Sequence, residues 1–199
     1  SMVALMNRSI DLMEELAAES GNVFLMNRRG YLFATAQPEQ VDRYVRAAGD
    51  AAGFGAGPVR MHGSSADTYQ PAPAVGYEKQ PIGTDVITDP SLIRRHFPYL
   101  AADTVALLHA RRCGWFSGQQ LGMYMLERAR DQGVRLIDGR VERVETGGGR
   151  VTGVVVSGRD GTRTIGTPRF VNAAGPFLRD VGRLLGIELP VFCERHAKV

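Results

Sequence analysis

Apolar residues recur at helical spacing at Met6, Ile10, Met13 and Ala17, with charges between them, and Ser20-Gly21 closes the run. That pattern predicts an opening helix with one apolar face. Two β-rich runs follow, Val23 to Met26 and Tyr31 to Ala36, joined by Asn27-Arg28-Arg29-Gly30, and together they predict a hairpin. Pro38 then suits a first helical turn, and Val41, Tyr44, Val45 and Ala48 share a face until about Gly53. From 53 to 90 no period holds, and Gly, Pro and Ser predict a long connection. Its Gly53-Phe54-Gly55-Ala56-Gly57-Pro58 is no dinucleotide loop, because Pro58 stands where the third glycine belongs. Asp89-Pro90 predicts a short helix carrying Leu92, Ile93 and Phe97.

The pattern sharpens from Ala106 onward. Ala106 to Ala110 reads as a strand, and Ser117 with Gln120 forms a capping-box pair for a helix that ends at Gln132-Gly133. Val134 to Ile137, Val141 to Glu145, Arg150 to Ser157 and Thr162 to Thr167 read as successive strands, the last three a meander turning at Gly147 to Gly149 and at Arg159-Asp160-Gly161. A further strand is predicted to end at Phe170-Val171-Asn172-Ala173-Ala174, before Gly175-Pro176 and a helix from about Phe177 to Leu185. A last strand is expected towards Val199. Ala173-Ala174-Gly175 presents almost bare backbone at a strand-to-helix turn, which close approach of a phosphate or a flat cofactor requires; an ordinary turn is the other reading.

Composition narrows the function classes. The 199 residues are 44% hydrophobic and 23% charged, with a formal net charge of +3, as in an ordinary globular protein. Nearly all the positive charge is arginine, interleaved with acids as in Glu127-Arg128-Ala129-Arg130-Asp131, which argues against nucleic-acid binding. Cys113 and Cys193 lie far apart, so neither a disulfide framework nor a zinc site is expected, and a reducing compartment fits. His62, His96, His109 and His196 lack metal-ligand spacing, and His109 reads as a core or surface residue. No apolar run approaches a membrane span. Nucleophile elbows, P-loops and paired carboxylates are absent, and no catalytic residue stands out.

Four segments, taken in order, resemble the FAD-dependent oxidoreductases of the D-amino-acid oxidase, sarcosine oxidase and glycine oxidase group. They are Gly114-Trp115-Phe116-Ser117-Gly118-Gln119-Gln120-Leu121, Gly133-Val134-Arg135-Leu136-Ile137, Val141-Glu142-Arg143-Val144, and Val171-Asn172-Ala173-Ala174-Gly175-Pro176. The resemblance implies an α/β fold, part of a glutathione-reductase-type FAD-binding domain interleaved with a mixed-sheet substrate domain. It implies FAD-domain residues at 1–20 and 111–188, and substrate-domain residues at 21–110 and 189–199. Val141 would lend its backbone to the adenine, though read from the strand alone it is equally a core residue. Ala173, Ala174 and Gly175 would lie beside the ribityl and pyrophosphate.

The resemblance also implies hydride transfer from an amine, amino acid or 2-hydroxy acid to flavin, in the cytoplasm or, in a eukaryote, the mitochondrial matrix. The family's GxGxxG element and its downstream acid are not in this sequence, so an internal segment is expected, with the missing portions of the same enzyme as its partners. A catalytically silent scaffold or interaction module is the alternative. Self-association is expected of the segment alone, since its end elements would expose apolar faces.

Overall fold

The computed structural model describes residues 2–64 and 68–195. The chain divides into two compact units, Ser1–Gly133 and Val134–Val199.

The first unit opens with α1 (Met2–Ser20), whose Ala17 is fully buried. Ile10, Met13 and Leu16 of the same face pack with Phe24, Met26, Phe116 and Leu121. The predicted hairpin does not form. Asn22 and Leu25 both take positive φ (58°), and the Asn22 side chain accepts from the Met26 N–H (2.7 Å) and donates to its carbonyl (2.9 Å). That local turn chemistry wins over the β-propensity of Val23 to Met26. Only β1 (Tyr31–Thr35) is a strand, and it pairs with a distant one, β4 (Ala106–Ala110).

A 3-10 turn at Pro38–Gln40 leads into α2 (Val41–Gly53), as the Pro38 pattern predicts. The expected connection from 53 to 90 holds two strands that no period reveals, β2 (Val59–His62) and β3 (Thr84–Ile87). Residues 65–67 of that connection lie outside the described residues. The sheet runs β1-β4-β3-β2, with β2 parallel to β3 and the other pairs antiparallel. Each strand has only four or five residues, so register and burial rather than composition define it.

Alternation divides the sheet between two cores. Val86 and Leu108 face α2, where they pack with Ala48, Tyr44 and Val59. Ile87 and Leu107 face the opposite way, towards α3 (Pro90–His96), and pack with Leu92, Ile93, Phe97 and Tyr69. Asp89 caps α3, accepting from the Ser91 and Leu92 N–H groups. Ser117 likewise accepts from Gln120 N–H to start α4 (Gly118–Asp131).

The second unit is a meander, β5 (Arg140–Gly147), β6 (Arg150–Gly158) and β7 (Gly161–Gly166), in that spatial order. Val154, Val155 and Val156 of the central strand are all buried. Val134 to Ile137 is not a strand: no backbone among the described residues pairs with it, and Val134 and Leu136 stay exposed. Nor is Phe170 to Ala174. There Asn172 Oδ1 accepts from Ala174 N–H (3.3 Å) while its Nδ2 donates to the Leu178 carbonyl (2.8 Å), an Asx-type turn in place of a ladder. A 3-10 turn, Gly175–Phe177, then feeds α5 (Leu178–Arg183). Residues 191–195 form no strand, and the rest of the expected last strand, 196–199, lies outside the described residues.

Candidate functional site

In the second unit, Val141 and Ala174 line one cleft of about 710 Å³. The meander brings Val141 there from β5, whose outer edge has no partner strand among the described residues. The Asn172 turn brings Ala174 there, with Phe177 and Val181 behind it. Ala173 is exposed and lies outside this lining, and Gly175 lines a neighbouring pocket with Pro176 and Arg179.

The lining tests the fit of a flavin dinucleotide. Val141, Phe177, Val181 and Leu184 offer apolar surface to a flat ring. At Gly175 a side chain would meet no atom within 4 Å, so its backbone is bare as the sequence pattern predicts. Arg140 is the cleft's cation, and the Asp180 carboxylate beside it opposes a phosphate. The cleft therefore fits the uncharged, planar end of such a cofactor and not its pyrophosphate.

In the first unit, register assembles a polar row that sequence patterns do not reveal. Arg60, Asp85 and His109 stand opposite one another across β2, β3 and β4, on the face opposite α2. Asp85, 3% exposed, takes two hydrogen bonds from Arg60 (2.6 and 3.1 Å) and one contact from His62 Nε2 (2.9 Å), with Arg111 Nε at 3.3 Å. Burial pushes its carboxyl pKa up, but the hydrogen bonds from Arg60 and His62 and the charges of Arg60 and Arg111 outweigh that and hold it below the ordinary value. Arg111 Nη2 donates to the Gln70 carbonyl (2.7 Å) and Arg60 Nη1 to that of Ile82 (2.8 Å). The row thus fastens the long, irregular connection to the sheet.

His109, 1% exposed, continues the row. A guanidinium only donates, so the 2.8 Å contact from Arg111 Nη1 makes Nδ1 an acceptor. The proton therefore sits on Nε2 and is donated to the Arg29 carbonyl (2.8 Å). Tyr69 OH lies 2.9 Å from the same Nδ1, and burial raises its pKa to about 12. Burial, with the Arg111 charge, lowers the His109 pKa in spite of the bond to Arg29. A histidine with a depressed folded pKa leaves the unfolded chain with more bound protons, so stability is full above the unfolded value, about pH 6.5, and falls as pH drops below it. In His109→Asn, whose amide oxygen still accepts from Arg111, the unfolding midpoint should change less between about pH 6.5 and 5 than in the wild type. Equal acid sensitivity in both would remove His109 from this account.

Among the described residues, two buried polar atoms lack a partner: Nε of Arg28 and Nε of Arg112. Burial, and the like charges of Arg112 and Arg111, lower the Arg28 pKa, with Glu14 opposing. A buried donor without an acceptor costs about 1–3 kcal/mol, so these atoms need an explanation.

The fold has relatives among solved structures. L-proline dehydrogenase from P. horikoshii superposes with a TM-score of 0.67 at 21% identity, over 92% of this chain and 40% of that one. Glycine oxidase from Bacillus cereus ATCC 14579 gives 0.67 at 14%, over 90% and 42%. The chain therefore spans about two fifths of the length of either structure. No curated protein sequence matches significantly. The mixed α/β fold, with one mixed and one antiparallel sheet, is of the glutathione-reductase type and is shared with both structures. No helix among the described residues is long and apolar enough to cross a membrane. The family described as "FAD dependent oxidoreductase" (DAO) matches residues 1–197, nearly the whole chain, so the chain belongs to that family of FAD-dependent enzymes.

Proposed function

We propose that the second unit carries the adenosine side of an FAD site, in a flavoenzyme that oxidises a small amine, amino acid or 2-hydroxy acid. The observation that carries this is the convergence of Val141 and Ala174, far apart in sequence, on one largely apolar cleft in a chain of an FAD-dependent family. The names of the two similar structures, a proline dehydrogenase and a glycine oxidase, support an amino-acid substrate class. The outer edge of β5 at Val141 would offer backbone groups to the adenine. Phe177, Val181 and Ala174 would cover its face, and the bare backbone at Ala173 and Gly175, outside the cleft, would let the chain approach the ribityl and pyrophosphate closely. When bound, the cofactor supplies acceptance of a hydride from a carbon bearing nitrogen or oxygen. The work of this chain is to bind, orient and exclude water. Two free cysteines fit a reducing compartment such as the cytoplasm.

Asp180 in the cleft is the observation that favours a second reading, a scaffold that has lost its cofactor. The test is Ala174→Leu in the full-length protein, reading flavin absorbance per protein and the unfolding of the apo form. Ala174 is half-buried with ordinary φ (−77°), so the apo form should change by less than about 1 kcal/mol while bound flavin falls at least about tenfold. Gly175→Val differs: its side chain meets open space but sits at φ +54°, so the apo form itself should lose about 1–3 kcal/mol. Flavin retained in Ala174→Leu, or lost only with equal apo destabilisation, refutes the assignment. A full-length wild type that binds no flavin supports the scaffold.

A further inference from the structure

Thr68, Tyr69 and Gln70 are where the irregular connection is pinned to the sheet. The Tyr69 ring is 5% exposed and packs with Ile87, Leu107 and Phe97. Thr68 Oγ1 meets His62 Nδ1 (3.1 Å), and the Gln70 carbonyl accepts from Arg111 Nη2. Arg111 is one flat group with three attachments: Nη2 on Gln70, Nη1 on His109 Nδ1 (2.8 Å) and Nε on Asp85 (3.3 Å). Its centre also lies 5.5 Å from that of the Tyr69 ring. The chain has neither helix nor strand over 68–82, so side-chain ties rather than a ladder fix the start of the connection. Further along, Pro73, Val75, Tyr77 and Glu78 wall a cleft of about 510 Å³ against Ala17 and Asn22 at the end of α1.

We propose that this attachment is an acid-operated latch, in which a proton on His109 Nδ1 drives Arg111 away and frees Tyr69 and Gln70 from the sheet. Neutral Nδ1 accepts from the guanidinium. Once protonated, it sets a donor and a positive charge 2.8 Å from another donor and cation. The ring cannot turn aside, because its Nε2–H is held by the Arg29 carbonyl and the Phe97 ring at the end of α3 stands edge-on to it (6.4 Å). Nor do the charges around it give relief: the Asp85 carboxylate of β3 is already shared by Arg60, His62 and Arg111, and Arg60 of β2 adds like charge. Tyr69 OH (2.9 Å) can rotate to accept from Nδ1–H, but the guanidinium must still leave. Being planar, it cannot withdraw Nη1 without taking Nη2 off Gln70. The neighbouring histidines tolerate a second proton. His62 sets Nδ1 against a hydroxyl and Nε2 against a carboxylate, so both contacts survive. His96 stacks on the Tyr69 ring (5.0 Å), where added charge attracts. Burial, with the Arg111 charge, holds the His109 pKa below its usual value, which keeps the latch shut at neutral pH. The latch lies in the first unit and does not rest on the flavin reading, which concerns the other.

Lys79, exposed within the connection, reports the opening to a lysine-specific endoproteinase. The full-length protein is digested at about pH 7.5 and 5.5, with cleavage after Lys79 read by mass spectrometry and rates normalised to an unstructured lysine peptide. The open form takes its proton at the ordinary value, about pH 6.5, so opening should rise about tenfold between those pH values, and cleavage that samples the open form should rise with it. Emission of Trp115, in the same unit, should not move, which separates release of the connection from unfolding. In His109→Asn the rise should fall below about twofold, because the amide oxygen still accepts from Arg111 and takes no proton. A check free of variants is the His109 ring signal in NMR of the wild type, which should shift in step with the cleavage. The proposal is overturned by cleavage that does not rise, by an equal rise in a folded His109→Asn, by a Trp115 change that accompanies the rise, or by a His109 signal that stays still while cleavage rises.

Discussion

Asp85→Asn should destabilise the first unit by about 3–5 kcal/mol, the largest loss expected from any isosteric change in this chain. The substitution preserves shape and removes one negative charge from a place where Arg60, Arg111 and His62 all converge. Two guanidiniums are then left facing each other with Arg111 3% exposed and unable to rehydrate. For a chain of this size the loss corresponds to about 6–20 °C in the midpoint of unfolding. Trp115, the single tryptophan, lies in the first unit, so its fluorescence follows that unit specifically. The pH dependence provides a check with a definite sign. Because the Asp85 pKa is held below its ordinary value, its contribution is present above about pH 3.9 and disappears as pH falls through the folded value. Wild type and variant should therefore converge only in strong acid. Equal stability at neutral pH would show that the row is incidental.

Gly30→Ala should cost about 2–6 kcal/mol, from backbone strain and overpacking together. Gly30 has φ +86°, and a Cβ there would sit 1.9 Å from His109 Nε2 and 2.8 Å from the Ala110 carbonyl oxygen. The imidazole cannot step aside, because it is bonded to Arg29, Tyr69 and Arg111 at once. A double-mutant cycle isolates the collision. His109→Ala empties the space that the new methyl invades, so the two changes should be coupled, the double variant losing less than the sum of the singles. Strict additivity would mean that strain at φ and the approach to the Ala110 carbonyl, not the collision with His109, account for the loss.

What was legible in the sequence and what was not divide along a physical line. The helices at 2–20, 41–53, 90–96 and 118–131 were legible because period and caps are local: Ala17 and Gly21, Pro38, Asp89, Ser117. So was the meander, through alternation and its glycine turns. The hairpin failed because Asn22 satisfies Met26 with its own side chain, a competition that strand propensity does not register. The four-residue strands at 59–62 and 84–87 were hidden among Gly and Pro, and an acid in the middle of Thr84-Asp85-Val86-Ile87 reads as a loop. Only register places Asp85 opposite His109 and Arg60. The available signal was that acid inside a β-branched run, together with His109 on a later strand and Arg111 just past its end. For the cofactor residues the bare backbone at Gly175 was readable, but the Asn172 turn that presents Ala174 was not.

The pairing of β1 with β4 also sets a timetable for synthesis. β1 is complete at Thr35, yet the strand it pairs with is made roughly 70–80 residues later. At the usual ribosomal rates of about 5–20 residues per second, the first strand waits about 4–16 s for its neighbour. During that interval Leu32 lacks Leu107 beside it, and the apolar stripe of α1 lacks Phe116 and Leu121. The nascent chain thus exposes these apolar faces through much of its emergence, and β1 cannot join the sheet before β4 is delivered.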